Sequence, residues 1–169
     1  LFVVSSKSGG TIELTSLFQY FFDKLEKLEK EKAGSHFVAI TDPGTALVEN
    51  GKKHGFRKIF LAPPDVGGRF SALTYFGLVP AALIGVDVEK ILDSAQRMMD
   101  ATSPETAETE NAAMALGIGM AVLAEEGRDK LTLLTPPAFH AFADWAEQLV
   151  AESTGKEGVG VIPIVREGL

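Results

Sequence analysis

Leu1-Phe2-Val3-Val4-Ser5-Ser6-Lys7-Ser8-Gly9-Gly10-Thr11-Ile12-Glu13 opens the chain. A short apolar run stops at hydroxyls, a lysine and two glycines, and a long helical pattern follows at once. This reads as a strand, a loop and a helix N-terminus. The free N–H groups and positive dipole end of a helix attract anions, and glycine lets the backbone come close to them. Ser6, Ser8 and Thr11 add hydroxyls and Lys7 adds a charge, so a phosphate group suits the loop. The same residue types also suit an ordinary βα turn, with Thr11 as the helix cap. The spacing is neither that of a Walker loop nor Gly-x-Gly-x-x-Gly.

Working outward, strand-like runs fall at 1–4, 36–40, 58–61, 131–134 and 159–165. Helical patterns lie between them, at 11–32, 45–51, 71–84, 89–101, 106–126 and 137–152. The apolar pattern at 71–84 predicts a buried helix. Alternating strands and helices argue for a parallel sheet covered by helices on both faces, an α/β three-layer sandwich. Ligands bind such folds at the carboxyl ends of the strands, where residues 5–11 fall. A boundary is expected near Gly85–Asp87, giving regions 1–86 and 87–169.

The 169 residues suffice for a real core, with 46% hydrophobic and 23% charged residues. A net charge of −7 argues against nucleic-acid and anionic-membrane partners, which need a basic face. No cysteine is present, which excludes disulfides and thiolate metal sites and fits a cytoplasmic protein. His36, His54 and His140 are too scattered for a histidine metal site. No apolar run reaches membrane-spanning length. The chain starts without Met inside a strand-like run and ends at Arg166-Glu167-Gly168-Leu169 after another, as a segment of a longer protein would.

Two further stretches carry chemistry. Pro63-Pro64-Asp65-Val66-Gly67-Gly68-Arg69-Phe70-Ser71 follows the third strand-like run. Gly67 and Gly68 permit a tight turn against a ligand, and Arg69 stands where it can stabilise charge developing on a substrate oxygen. Read plainly, Arg69 pairs with Asp65 or a helix end. Gln148 and Glu152 share a helix face four residues apart, before Gly155 and Lys156 at the helix end. A carboxylate on such a last turn can serve as a general base; an exposed surface pair is the simpler reading. Gly117 and Gly119 read as helix-packing glycines, and Trp145, Met98 and Met99 as packing residues.

These segments together resemble one family. Ser6-Lys7-Ser8-Gly9-Gly10-Thr11-Ile12-Glu13, Gly67-Gly68-Arg69-Phe70-Ser71 and Glu147-Gln148-Leu149-Val150-Ala151-Glu152-Ser153-Thr154-Gly155-Lys156 are similar to the three signatures of the phosphoglucose (glucose-6-phosphate) isomerases, in order. With Thr41-Asp42-Pro43-Gly44 and 127–132 included, the chain most resembles the isomerase part of bacterial bifunctional transaldolase/phosphoglucose isomerases. The resemblance implies a sugar isomerase (SIS), flavodoxin-like fold, with 1–86 the sugar-phosphate-binding region. It implies that Ser6, Lys7, Ser8 and Thr11 hold the 6-phosphate of glucose 6-phosphate or fructose 6-phosphate. Gly9 and Gly10 replace the bulkier residues of the animal-type signature, which favours backbone N–H contacts. Glu152 would move a proton between C1 and C2 through a cis-enediol, Arg69 would stabilise the enediolate and Gln148 would position the sugar. No metal or organic cofactor is implied. The family also uses a histidine from the neighbouring subunit of a homodimer and a lysine, on segments after the Glu152 signature. Nothing here matches them, so the chain alone is expected to be inactive and its full-length parent active. A noncatalytic SIS-type sugar-phosphate sensor is the alternative.

Overall fold

The computed structural model describes residues 1–167; Gly168 and Leu169, the end of the expected region 87–169, lie outside the described residues. The chain divides into two compact units, Leu1–Glu89 and Lys90–Leu169. Among the described residues no helix is long and apolar enough to cross a membrane.

The first unit runs β1 (Phe2–Ser5), α1 (Ile12–Glu29), β2 (Phe37–Thr41), α2 (Ala46–Lys53), β3 (Lys58–Leu61) and α3 (Tyr75–Leu83). Its sheet is wholly parallel, ordered β1-β2-β3, with Val4 opposite Ala39 and Ala39 opposite Ile59. Parallel neighbours need a crossover, and α1 and α2 supply both. Every residue of β2 is buried, as a central strand covered on both faces must be. Phe2, Val4, Phe37, Ala39 and Ile59 point to one face, where Phe18 and Phe22 of α1 and Leu47 of α2 meet them. On the other face Tyr75 of α3 packs with its ring 5.5 Å from Phe60. Helices thus lie on both sides of the sheet.

The long first helical pattern is not α-helical to its expected end. After Glu29 the chain tightens into a 3₁₀ segment, Lys30–His36. Gly34 there passes so close to the end of α2 that a Cβ would stand 1.7 Å from the His54 carbonyl oxygen.

The second unit contains most of α4 (Val88–Ala101), then α5 (Ala112–Glu125), β4 (Lys130–Leu133), α6 (His140–Thr154) and β5 (Ile162–Val165). β4 and β5 pair in parallel, with Leu131 opposite Pro163, and α6 is their crossover. Among the described residues the five expected strands form two parallel sheets, one of three strands and one of two. α5 starts later than its pattern suggests because Asn111 caps it: the side-chain oxygen accepts from the Met114 N–H at 3.0 Å while the amide donates to the Ser103 carbonyl. Ala143 and Ala146 seat α6. Arg166 forks onto both carboxylate oxygens of Asp144, and its guanidinium holds the Asp144 carboxyl below the usual carboxylate range.

Several packing expectations fail. The stretch 71–84 opens with a 3₁₀ turn (Gly68–Leu73), and α3 starts only after Thr74, whose hydroxyl accepts from the Phe76 N–H; no residue of α3 is buried. Trp145, Met98 and Met99 are exposed. Gly117 and Gly119 have no neighbour within 4 Å of where a Cβ would be, so they ease no helix contact among the described residues. An apolar pattern states which surface seeks cover, not what provides it.

Candidate functional site

The candidate site of the first unit lies where the pattern places it, beyond the carboxyl ends of β1, β2 and β3. The loop after β1 is built from its own backbone and from α2. Ser6 N–H donates to the Ile40 carbonyl at 3.0 Å, extending the sheet by one residue. The Ser6 hydroxyl accepts from the Gly9 N–H at 3.1 Å, closing the turn. Gly9 has φ +71°, and a Cβ there would stand 2.7 Å from Thr45 Cβ and 3.2 Å from Leu47 Cβ. Glycine is required twice over, by the left-handed backbone and by the packed start of α2. Gly9→Ala is expected to destabilise the first unit by about 3 kcal/mol, combining backbone and crowding costs. A thermal melt unchanged from wild type contradicts this.

Gly10 faces open space. Ser8 and Thr11 are exposed. Thr11 occupies the cap position of α1, but its side chain makes no capping bond. The capping reading of Thr11 therefore does not account for its hydroxyl.

Lys7 takes a position that the sequence did not announce. Its ammonium donates to Asp42 Oδ2 at 2.6 Å and to the Pro64 carbonyl at 3.2 Å. Its own carbonyl accepts from the Asp42 N–H at 3.3 Å and from the Thr41 hydroxyl at 3.4 Å. Thr41 also shares a 2.8 Å hydroxyl contact with Thr45. One side chain thus joins the loops that follow all three strands. Asp42 was missed as a site residue, although Thr41-Asp42-Pro43-Gly44 stands at the strand-end level that marks ligand sites in such sheets.

Gly67, Gly68 and Arg69 lie on the third of these loops. Phe70 N–H donates to the Gly67 carbonyl at 3.0 Å and the Ser71 hydroxyl to the Gly68 carbonyl at 2.6 Å, forming the 3₁₀ turn. Arg69 is half-buried, with its guanidinium carbon 5.5 Å from the Phe70 ring centre.

Gln148 and Glu152 belong to the second unit. They lie on the last turns of α6, where Gln148 Nε2 donates to Glu152 Oε2 at 3.4 Å. Both are exposed. The end of α6 is fixed beside them by Thr154, whose hydroxyl donates to the Val150 carbonyl at 2.8 Å and accepts from the Val161 N–H at 3.0 Å. A cavity of about 660 Å³ adjoins this helix end, with Ala151, Gly155, Val159 and Gly160 in its wall. The structure thus assembles the first-loop residues with the base of the Arg69 loop, and separately pairs Gln148 with Glu152.

No family model matches the chain. Over 163 residues it is 36% identical to the glucose-6-phosphate isomerase of Clostridioides difficile, covering 95% of this chain and 36% of the relative. It is 35% identical over 162 residues to that of Mycoplasmopsis pulmonis, covering 95% of this chain and 38% of the relative. Among solved structures, a hypothetical protein from Thermus thermophilus matches 99% of this chain and 41% of its own, with a TM-score of 0.89 and 27% identity. A glucose-6-phosphate isomerase from Chlamydia trachomatis matches 98% of this chain and 34% of its own, with a TM-score of 0.79 and 23% identity, a likeness of fold. The chain therefore spans a little over a third of the length of the curated relatives it matches, with 36% and 38% of those two covered. On sequence and fold together, the chain belongs to the glucose-6-phosphate isomerase family.

Proposed function

We propose that this chain supplies the phosphate loop, the enediolate-stabilising arginine and the catalytic carboxylate of an enzyme that interconverts glucose 6-phosphate and fructose 6-phosphate. The observation that carries the reading is the first loop. Hydroxyls and an open glycine stand at the carboxyl end of a parallel strand, at the start of an 18-residue helix. A phosphate held there contributes binding energy remote from the reacting carbons and places them for reaction.

The chemistry is proton transfer between C1 and C2 of the open-chain sugar. Glu152 takes a proton from the carbon next to the carbonyl, a cis-enediol forms, and the proton returns to the other carbon. Arg69 offsets the charge that grows on the oxygen. Gln148, bonded to Glu152, orients sugar hydroxyls. Ring opening and the remaining contacts are assigned to a histidine and a lysine that no residue of this chain matches, so residues 1–169 alone are expected to give no turnover. The working enzyme is assigned as a homodimer in the cytoplasm.

The test is calorimetric titration with fructose 6-phosphate, with fructose and inorganic phosphate as controls, together with a coupled isomerase assay of the full-length protein. Binding of the sugar phosphate but not of fructose, with turnover, is the expected result. A sugar-phosphate sensor would bind equally but show no turnover, and Arg69 would be dispensable. As an isomerase residue, Arg69→Ala should lower kcat by about a hundredfold, the cost of losing one stabiliser of an oxyanion. Wild-type kcat in that variant removes Arg69 from the mechanism.

A further inference from the structure

We infer that Lys7 and Asp42 form a latch across the three strand-end loops that positions the Arg69 loop, so that the Lys7 ammonium acts as a positioning group and not as a phosphate ligand. The inference rests on the isomerase reading above and narrows how its arginine loop is held in place. Two of the three donors of the Lys7 ammonium are engaged, by Asp42 Oδ2 at 2.6 Å and by the Pro64 carbonyl at 3.2 Å. The pair is partly withdrawn from water, with side-chain exposures of 31% and 18%. Its attraction is therefore screened less than that of a surface pair.

Asp42 is the half that makes the pairing obligatory. Its second oxygen, Oδ1, is buried and has no hydrogen-bond partner among the described residues. A carboxylate in that position depends on Lys7 for compensation. A Lys7 that swung out to a phosphate would leave Asp42 uncompensated and would bring a dianion toward a carboxylate. The ammonium and carboxylate together present little net charge to an incoming phosphate. Within the same loop the Ser6 and Gly9 N–H groups are spent on the Ile40 carbonyl and the Ser6 hydroxyl, whereas the Thr11 side chain makes no capping bond.

The latch also acts at a distance. Pro64 opens the loop that carries Gly67, Gly68 and Arg69, so the Lys7 contact ties that loop to the phosphate loop. Lys7 and Asp42 are positioning residues for Arg69, and their loss should appear in kcat before it appears in phosphate affinity.

The experiment uses the full-length protein with Lys7→Met, Asp42→Asn and the double variant. Inorganic phosphate binding is measured by calorimetry, fructose 6-phosphate turnover gives kcat and KM, and a thermal melt accompanies each. Each single variant is expected to lower kcat by about 10- to 100-fold, as misplacement of a catalytic group does. Phosphate affinity should stay within about twofold, the limit set by ordinary non-additivity. The double variant should be no worse than the worse single one, and Asp42→Glu should recover part of kcat. If Lys7→Met weakens phosphate by more than about tenfold, as loss of a charged hydrogen bond would, while Asp42→Asn tightens it, Lys7 is a ligand and the latch is wrong. Lower melting temperatures with wild-type kcat also overturn it, because the pair is then structural alone. A wild type that binds phosphate but does not isomerise ends the isomerase reading, and the phosphate titrations still decide whether Lys7 is a ligand. A wild type that binds no phosphate overturns the inference itself.

Discussion

Glu152→Gln in the full-length protein is expected to lower kcat for fructose 6-phosphate by about a thousandfold, within the range that a positioned general base contributes. On the proposed mechanism the substitution removes the proton acceptor and keeps the shape. Glutamine is as good a helix former as glutamate, and Glu152 is exposed on the last turns of α6, so the melt should not move. KM should change little, because in the proposed mechanism the phosphate end supplies much of the binding and lies on a different segment. Gln148→Ala gives a useful contrast, since an orienting amide should cost far less than the base. The measurement is a coupled assay with melting curves for each variant. Turnover close to wild type in Glu152→Gln would remove Glu152 from the proton transfer and assign the base to another residue.

The largest effect on stability is expected from Phe37→Ala, at about 4 kcal/mol. Phe37 is 1% exposed and opens the central strand. Its ring stacks on Phe2 at 5.0 Å and Phe56 at 5.4 Å, and meets Phe18 edge-on at 5.6 Å. Truncation removes buried area and leaves a cavity that rings held from both sheet and helices cannot easily close. In a unit of this size each kcal/mol moves the midpoint by about 4–8 °C, so a fall of roughly 20 °C is expected. Leu28→Ala is the control. Leu28 is 78% exposed, and its truncation should stay within about 0.5 kcal/mol. Equal effects at the two positions would mean that the aromatic cluster does not hold the unit together.

Much of this fold was legible in the sequence. β3 has the bounds its pattern gives, and the other strands shift by at most three residues at either end. Short apolar runs ending at Gly, Pro or hydroxyl residues are strong signals, since each loop residue has a backbone reason to be there. The packing failures share one cause. Trp145, Met98, Met99, Gly117 and Gly119 were read as packing residues from their apolar or small character. Such character specifies a surface that gains by being covered, and it is silent on the partner. Asp42 failed differently. Its role comes from meeting Lys7, 35 residues away in sequence, and no local period records such a pairing. The proposed phosphate loop stands out in the sequence because its candidate donors are contiguous.

The fully buried central strand has a kinetic consequence. β2 pairs through Phe2–Phe37 on one side and Val38–Lys58 on the other, so neither ladder can form until a helical crossover has closed. Chain-closure entropy is spent before those hydrogen bonds are gained, which slows parallel sheets relative to helical bundles. The aromatic residues shorten the search, because Phe18 and Phe22 sit on α1 within the loop to be closed and can meet Phe37 as the helix forms. Stopped-flow refolding of Phe18→Leu should therefore show a slower folding arm, while the exposed Leu28→Ala should leave both arms of the chevron in place.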